Sequence, residues 1–332
     1  MEIKASEVMK LRQMTQAGMM DCKKALIEAE GDFEKAKEIL REKGKVIAAK
    51  RSDRETTEGA VLARVNADKT VATLTCLGCE TDFVAKTEGF QALANGIADA
   101  AVANTPADLD ALKACKYGEY ASIEEAVTDQ TGKSGEKHVI ACYEKIEAPF
   151  VGYYIHSNQK VATIVGFNKV STDEVAKEIA MQITAMVPIA VTSDDIPQQR
   201  KDEELSIAIT KTKEEMIKKA VDSALNKAGL NPNHFDSEDH IQSNIAKGWI
   251  TPEQAEQGRK IMKEAAEAKA ANLPEAMIQN IANGRLQKFF KEKTLVEQVL
   301  ALGDGKETVS QYLKRMDPEL KVLSFKRFSL SD

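Results

Sequence analysis

Aromatic residues are scarce, at 5% of the 332-residue chain, which argues against a large β-sandwich and toward helix. An excess of positive charge is missing too: 46 Lys and Arg stand against 52 Asp and Glu, a net charge of -6. Affinity for phosphate backbones relies on clustered Lys and Arg, so no direct nucleic-acid partner is expected. One basic segment, REKGKVIAAKRSDR at 41–54, carries six Lys or Arg against two acidic residues and reads as a solvated linker. No run approaches the ~18 consecutive apolar residues of a membrane span. The opening MEIKASEVMKLRQ has charges where a leader needs an apolar stretch, so the expected location is cytoplasmic, away from membranes. The five cysteines (Cys22, Cys76, Cys79, Cys115, Cys142) are an odd number and read as reduced thiols.

The usual chemical constellations are also missing. TGKSG at 131–135 resembles the tail of a phosphate-binding loop, but the position five before Gly132, where that loop needs glycine, is Val127. Cys76-x-x-Cys79 has no second pair; on a strand its two side chains point to opposite sides, one in and one out, which suits structural cysteines better than zinc. His138, His156, His234 and His240 lie apart without metal-ligand spacing, and His156, in YYIHS at an expected hairpin tip, is the most exposed of them. No nucleophile–base pair or paired carboxylates stand out. Neither a catalytic site nor a cofactor or metal is expected.

What the chain does contain is organised by segment. Residues 1–50 read as three short helices: Ser6 caps the first, with Val8, Leu11 and Met14 inward; Asp21 caps the second; Asp32 caps the third, which Gly44 ends. TQAGMM leaves Met19 and Met20 beside a turn, either as an adaptable contact surface or as plugs for the small core. From 197 to 290 Lys, Glu, Ala and Gln dominate, with apolar residues at helical spacing and Pro-Glu helix starts at 252 and 274. This reads as a protruding arm too hydrophilic for its own core, one that touches a partner or a second copy. TVSQYLKRM and LKVLSFKRFSL suggest a last helix and a closing strand.

Between these lies an internal repeat. Val71-Ala72-Thr73 recurs as Val161-Ala162-Thr163, and Asp82-Phe83-Val84-Ala85-Lys86 recurs as Asp173-Glu174-Val175-Ala176-Lys177. Each copy follows another β-rich run, GAVLARV or PFVGYYIHS, giving two hairpin-plus-helix units. The copies agree on a Thr-Asp helix cap and an inward Val-Ala. They disagree at one position, where Phe83 stands in place of Glu174. Glutamate suits an exposed slot at the positive end of a helix. A phenylalanine there is either a solitary surface ring or a wedge for a partner, beside the carboxylate of Asp82.

At these residues the chain strongly resembles the bacterial type of translation elongation factor Ts. TQAGMMDCKKAL (15–26, with Gln16 where glycine is usual) and CETDFVAKTEGF (79–90) are similar to two signatures of the family, and NGRLQKFFKE (283–292) resembles the segment after its helical arm. The likeness spans nearly the whole chain, although the arm is longer than in familiar members around 225–270. The resemblance implies a guanine nucleotide exchange factor for elongation factor Tu rather than an enzyme. It implies that Thr81, Asp82, Phe83 and Val84 disturb the magnesium site of that GTPase. It also implies that Arg12, Met19 and Met20 grip the GTPase's nucleotide-binding domain, that His156 helps flip its phosphate-binding loop, and that the arm contacts the partner or forms a homodimer.

The expected fold is α+β. A ubiquitin-associated-like three-helix bundle fills 1–50, with a basic linker to about 55. Two similar subdomains with antiparallel sheets fill 56–145 and 146–196 plus 286–332, and a helical-hairpin, coiled-coil-like arm fills 197–285. Two other readings stand beside it: a small-molecule enzyme using Cys76 and Cys79, and an adaptor built on the first fifty residues.

Overall fold

The computed structural model describes residues 3–15, 17–303 and 305–331, so Gln16 lies outside the described residues. Two compact units emerge, one of residues 1–191 with 298–332 and one of 192–297.

The first unit opens with a bundle. α1 (Ala5–Thr15) begins before Ser6, so Ser6 does not cap it; the Lys4 N–H instead donates to Glu7 Oε2 at 2.8 Å. α2 (Met19–Glu28) starts behind Gly18, which places Asp21 inside the first turn as a dipole complement rather than a cap. Asp32 caps α3 (Phe33–Lys50) as expected, accepting from the N–H groups of Glu34 and Lys35. Val8, Leu11, Cys22, Leu26 and Ala36 form the bundle core, while Met14, expected inside, is exposed.

α3 does not stop at Gly44. It runs on to Lys50, so most of the segment read as a solvated linker is helix. Gly44 serves close packing instead of termination: a Cβ on Gly132 would sit 2.6 Å from the Gly44 Cα.

The first sheet joins β1 (Glu58–Val65), β2 (Val71–Cys79) and, after the helices, β3 (Val139–Glu147), in the antiparallel order β1-β2-β3. Between β2 and β3 come the one-turn α4 (Asp82–Ala85), α5 (Glu88–Asn104), α6 (Leu109–Ala114) and α7 (Ile123–Ser134). β4 (Phe150–Ile155) and β5 (Val161–Phe167) start the second sheet, and α8 (Asp173–Met186) covers it.

β1 and β2 are packed on two faces. Ala60, Leu62, Leu77 and Cys79 face α5, whereas Val61, Ala63, Leu74 and Cys76 pack on Val151, Ala162 and Ile164 of the second sheet. Cys76 and Cys79 do point to opposite sides, but the expectation of one in and one out fails because neither side of β2 meets water.

The second unit holds α9 (Gln198–Lys227), α10 (Glu238–Ala246), α11 (Pro252–Ala271) and α12 (Glu275–Lys293), with α9 packed along both α11 and α12. Contrary to the expectation from its polarity, this segment has a core of its own: Leu225, Leu230, Phe235, Ile241, Ile250 and Ala255 are all buried together. Apolar residues this thinly spread suffice because the turn at 229–235 folds Leu230 and Phe235 back onto α9 and α11, with Val221, Ile245, Ile261 and Met262 packed around them. The chain then returns to the first unit, where α13 (Val309–Met316) leads into β6 (Val322–Ser329), the third strand of the sheet β4-β5-β6.

Candidate protein-binding site around Phe83

The site grows from the end of β2. Thr81 is the N-cap of α4, its Oγ1 accepting from the Val84 N–H at 3.4 Å. Thr172 does the same for α8 through Val175, as the repeat predicts. Thr81 is itself held: its N–H donates to Glu136 Oε2 at 3.0 Å and its hydroxyl to Glu136 Oε1 at 2.7 Å. One residue earlier, the Glu80 carboxylate accepts from Arg51 Nη1 at 2.8 and 2.9 Å and from the Lys137 N–H at 2.7 Å. Burial opposes the charge on Glu80, but the Lys137 N–H and the Arg51 guanidinium outweigh it and hold the carboxyl below its ordinary value.

On this mount Phe83 is 81% exposed, the most exposed of the large apolar side chains among the described residues. Val84 next to it is half-buried against the α5 core, and Ala85 is fully inside, so the one-turn helix is pinned by one face while the ring stands off the other. In the second copy Glu174 is likewise exposed, but there the helix continues without a break. In the first copy Thr87 caps a new helix, so α4 stays a separate turn that carries Phe83 alone. Asp82 pairs with Lys86 one turn on, at 2.7 Å, and this hydrogen bond holds its carboxyl below its ordinary value.

His156 lies just after β4 and is exposed, with Nδ1 3.1 Å from the Tyr154 hydroxyl. Its turn reaches the same end of the first sheet as Phe83. The Val61 N–H donates to the Gln159 carbonyl at 2.7 Å, and Lys160 Nζ reaches Glu58, the residue paired with Cys79 across the ladder, at 2.7 Å. Glu58 thus stands between the hairpin turn and the strand end that leads into α4.

In the bundle, Arg12, Met19 and Met20 are all exposed, so the two methionines do not plug its core. Arg12 and Met19 line one shallow depression together with Met9 and Gln13. Sequence reasoning missed Met9, although it sits three residues before Arg12 on the same helix face. It also missed Glu80, Glu136, Arg51 and Lys137. Glu80 lies inside CETDFVAK, but its partners come from positions 29 and 57 residues away, which no local pattern signals.

Cys76 and Cys79 are poor nucleophiles. Burial pushes the Cys79 thiol up to about 12 and raises that of Cys76 as well, so neither is a thiolate near neutral pH.

Comparison with known proteins adds a context to this geometry. A family model described as "Elongation factor TS" matches residues 80–332. A protein named Elongation factor Ts from Parabacteroides distasonis is 50% identical over 331 residues, covering 99% of either chain. One of the same name from Bacteroides fragilis is 49% identical over the same shares. Another, from Christiangramia forsetii, is 39% identical, again over 99% of each chain.

Proposed function

The chain belongs to the elongation factor Ts family, and from that membership we propose that it is the guanine nucleotide exchange factor of elongation factor Tu, acting in the cytoplasm during translation elongation. The exchange makes and breaks no bond. The factor has to bind the nucleotide-free GTPase more tightly than the GDP-bound one, because only that difference shifts the equilibrium. By reciprocity GDP weakens factor binding by the same ratio.

Most of the grip on GDP comes through its phosphates and magnesium, so the efficient target is that cradle. Thr81-Asp82-Phe83-Val84 inserts beside it. The Phe83 ring displaces packing around the metal site, and the ionised Asp82 perturbs the polar groups that hold magnesium. Arg12, Met19 and Met20 grip the nucleotide-binding domain of the partner, where flexible methionines adapt to its surface. His156 acts on the backbone of the phosphate-binding loop. Residues 197–285 contact the partner or a second copy, and Ile207, Trp249, Met277 and Ile281 offer exposed apolar atoms for it.

The observation that carries this reading is the exposed Phe83 ring on a helix turn whose other face is locked into the core. Release of fluorescent GDP from a matched elongation factor Tu tests it. Wild type accelerates release, and Phe83→Ala lowers the maximal rate by about tenfold or more, the scale of a lost wedge contact of ~1.4 kcal/mol. Equal acceleration by both proteins removes Phe83 from the mechanism. No acceleration by folded wild type overturns the exchange function.

A further inference from the structure

The short loop between α7 and β3, residues 135–138, touches three parts of the first unit that the exchange reading treats separately. Its Glu136 carboxylate takes both donors of Thr81, the cap of the Phe83 turn, at 3.0 and 2.7 Å. The next residue, Lys137, donates its N–H to Glu80 at 2.7 Å and its Nζ to the carbonyls of Ser52 and Arg54 at 2.6 and 2.9 Å. Those carbonyls belong to the stretch that follows α3, and Arg51 at the end of α3 closes the ring by donating to both oxygens of Glu80. The loop is firmly seated. Gly135 ends α7 with φ at 75° and its N–H on the Thr131 carbonyl at 2.9 Å. The His138 N–H donates to Thr131 Oγ1 at 3.2 Å, and its ring packs on Phe90 at 5.6 Å.

We propose that this loop is a coupling hub: Glu136 is a positioning residue that aims Phe83, and Lys137 with Arg51 ties that aim to the N-terminal bundle. The inference rests on the exchange-factor reading and names residues which that reading does not use. Physically, α4 is only one turn long and cannot hold a conformation alone. Its N-cap, Thr81, is fixed from outside by two charge-assisted bonds to one carboxylate. The ordering entropy of the segment is then lost on folding, not at the moment the ring enters the partner. Because α3 belongs to the bundle that carries Arg12, Met19 and Met20, the grip and the wedge are held in one frame.

Two measurements on the full chain test the hub. In GDP release from elongation factor Tu, Glu136→Ala lowers the maximal rate about tenfold, while the half-saturating factor concentration stays within about twofold, since the bundle contacts remain. Glu136→Gln, which keeps one acceptor oxygen, recovers part of the rate. In a Phe83→Ala background the Glu136→Ala change costs much less, because only Asp82 is left on the turn to aim. A wild-type maximal rate in Glu136→Ala overturns the proposal, and so does an equal loss with and without Phe83.

Hydrogen exchange of the free protein gives the second readout. Amides of 81–86 exchange faster in Glu136→Ala, whereas those of α5 and β2 keep their protection, which also verifies that the variant is folded. Unchanged exchange at 81–86 overturns the clamp. If wild type itself fails to accelerate GDP release, the exchange function and the aiming role fall together, and hydrogen exchange still decides whether Glu136 holds the segment.

Discussion

At the scale of single residues, the repeat makes Phe83 legible in the sequence: two copies of one unit differ at a position where the fold tolerates either residue. The structure agrees, since Phe83 and Glu174 are both exposed, and a side chain in water at that position contributes little to stability. The residues that hold the turn were not readable, because Glu80, Glu136 and Arg51 meet only through tertiary contact. Glu80 gives a test with a definite sign. Its folded-state pKa is lowered, so its contribution is fully present above the ordinary value of 4.5 and is lost as the pH falls from there through the folded value. Glu80→Gln therefore lowers the urea midpoint at neutral pH, and the gap to wild type narrows steadily in acid below 4.5. A gap that stays constant with pH would mean that the Arg51 and Lys137 bonds do not favour the charged form.

At the scale of elements, caps after a clear Asp or Thr were legible, and Asp32, Thr81 and Thr172 all hold their helices as their positions suggest. Gly44 misled for a physical reason. Glycine after a basic, apolar-periodic stretch is the ordinary mark of a helix end, yet here it lies mid-helix because α3 crosses α7 at Gly132. The pair is asymmetric, which makes a prediction. A Cβ at Gly132 would lie 2.6 Å from the Gly44 Cα, main chain that cannot swing aside, whereas a Cβ at Gly44 meets nothing nearer than 3.4 Å. Forcing helices apart costs about 1–3 kcal/mol, against ~1 kcal/mol gained by replacing a mid-helix glycine with alanine. Gly132→Ala should lower the urea midpoint and Gly44→Ala should leave it equal or higher. The reverse order would show that the crossing is loose enough to shift. The same crossing seats the loop that follows α7, so Gly132→Ala also slackens the clamp on Thr81, visible as faster amide exchange at 81–86.

At the scale of the whole molecule, the residues proposed for exchange all fall in one of the two units. Every residue assigned to gripping or wedging the partner, from Arg12 to His156, lies in the unit of residues 1–191 and 298–332. The alternating strands and the repeat made that unit's sheets legible, whereas the core of 192–297 was hidden by its polar composition. Average hydropathy over a long polar-rich segment conceals a small set of well-placed apolar side chains when long helices spend most of their surface on solvent. Phe235 is the keystone of that core, 2% exposed, with its ring so close to Gly258 that a Cβ there would sit 2.0 Å from it. Phe235→Ala removes a ring that nothing can replace without a cavity, a loss of about 3–5 kcal/mol. The amides of 221–262 should then lose protection in hydrogen exchange, while those of β1, β2 and α5 retain theirs. Because no gripping or wedging residue draws its mount from this core, the maximal rate of GDP release should remain within about twofold of wild type, a shift of less than ~0.5 kcal/mol. A large fall in that rate with the sheets intact would place part of the exchange machinery in residues 192–297 and reassign the unit from accessory contact to working surface.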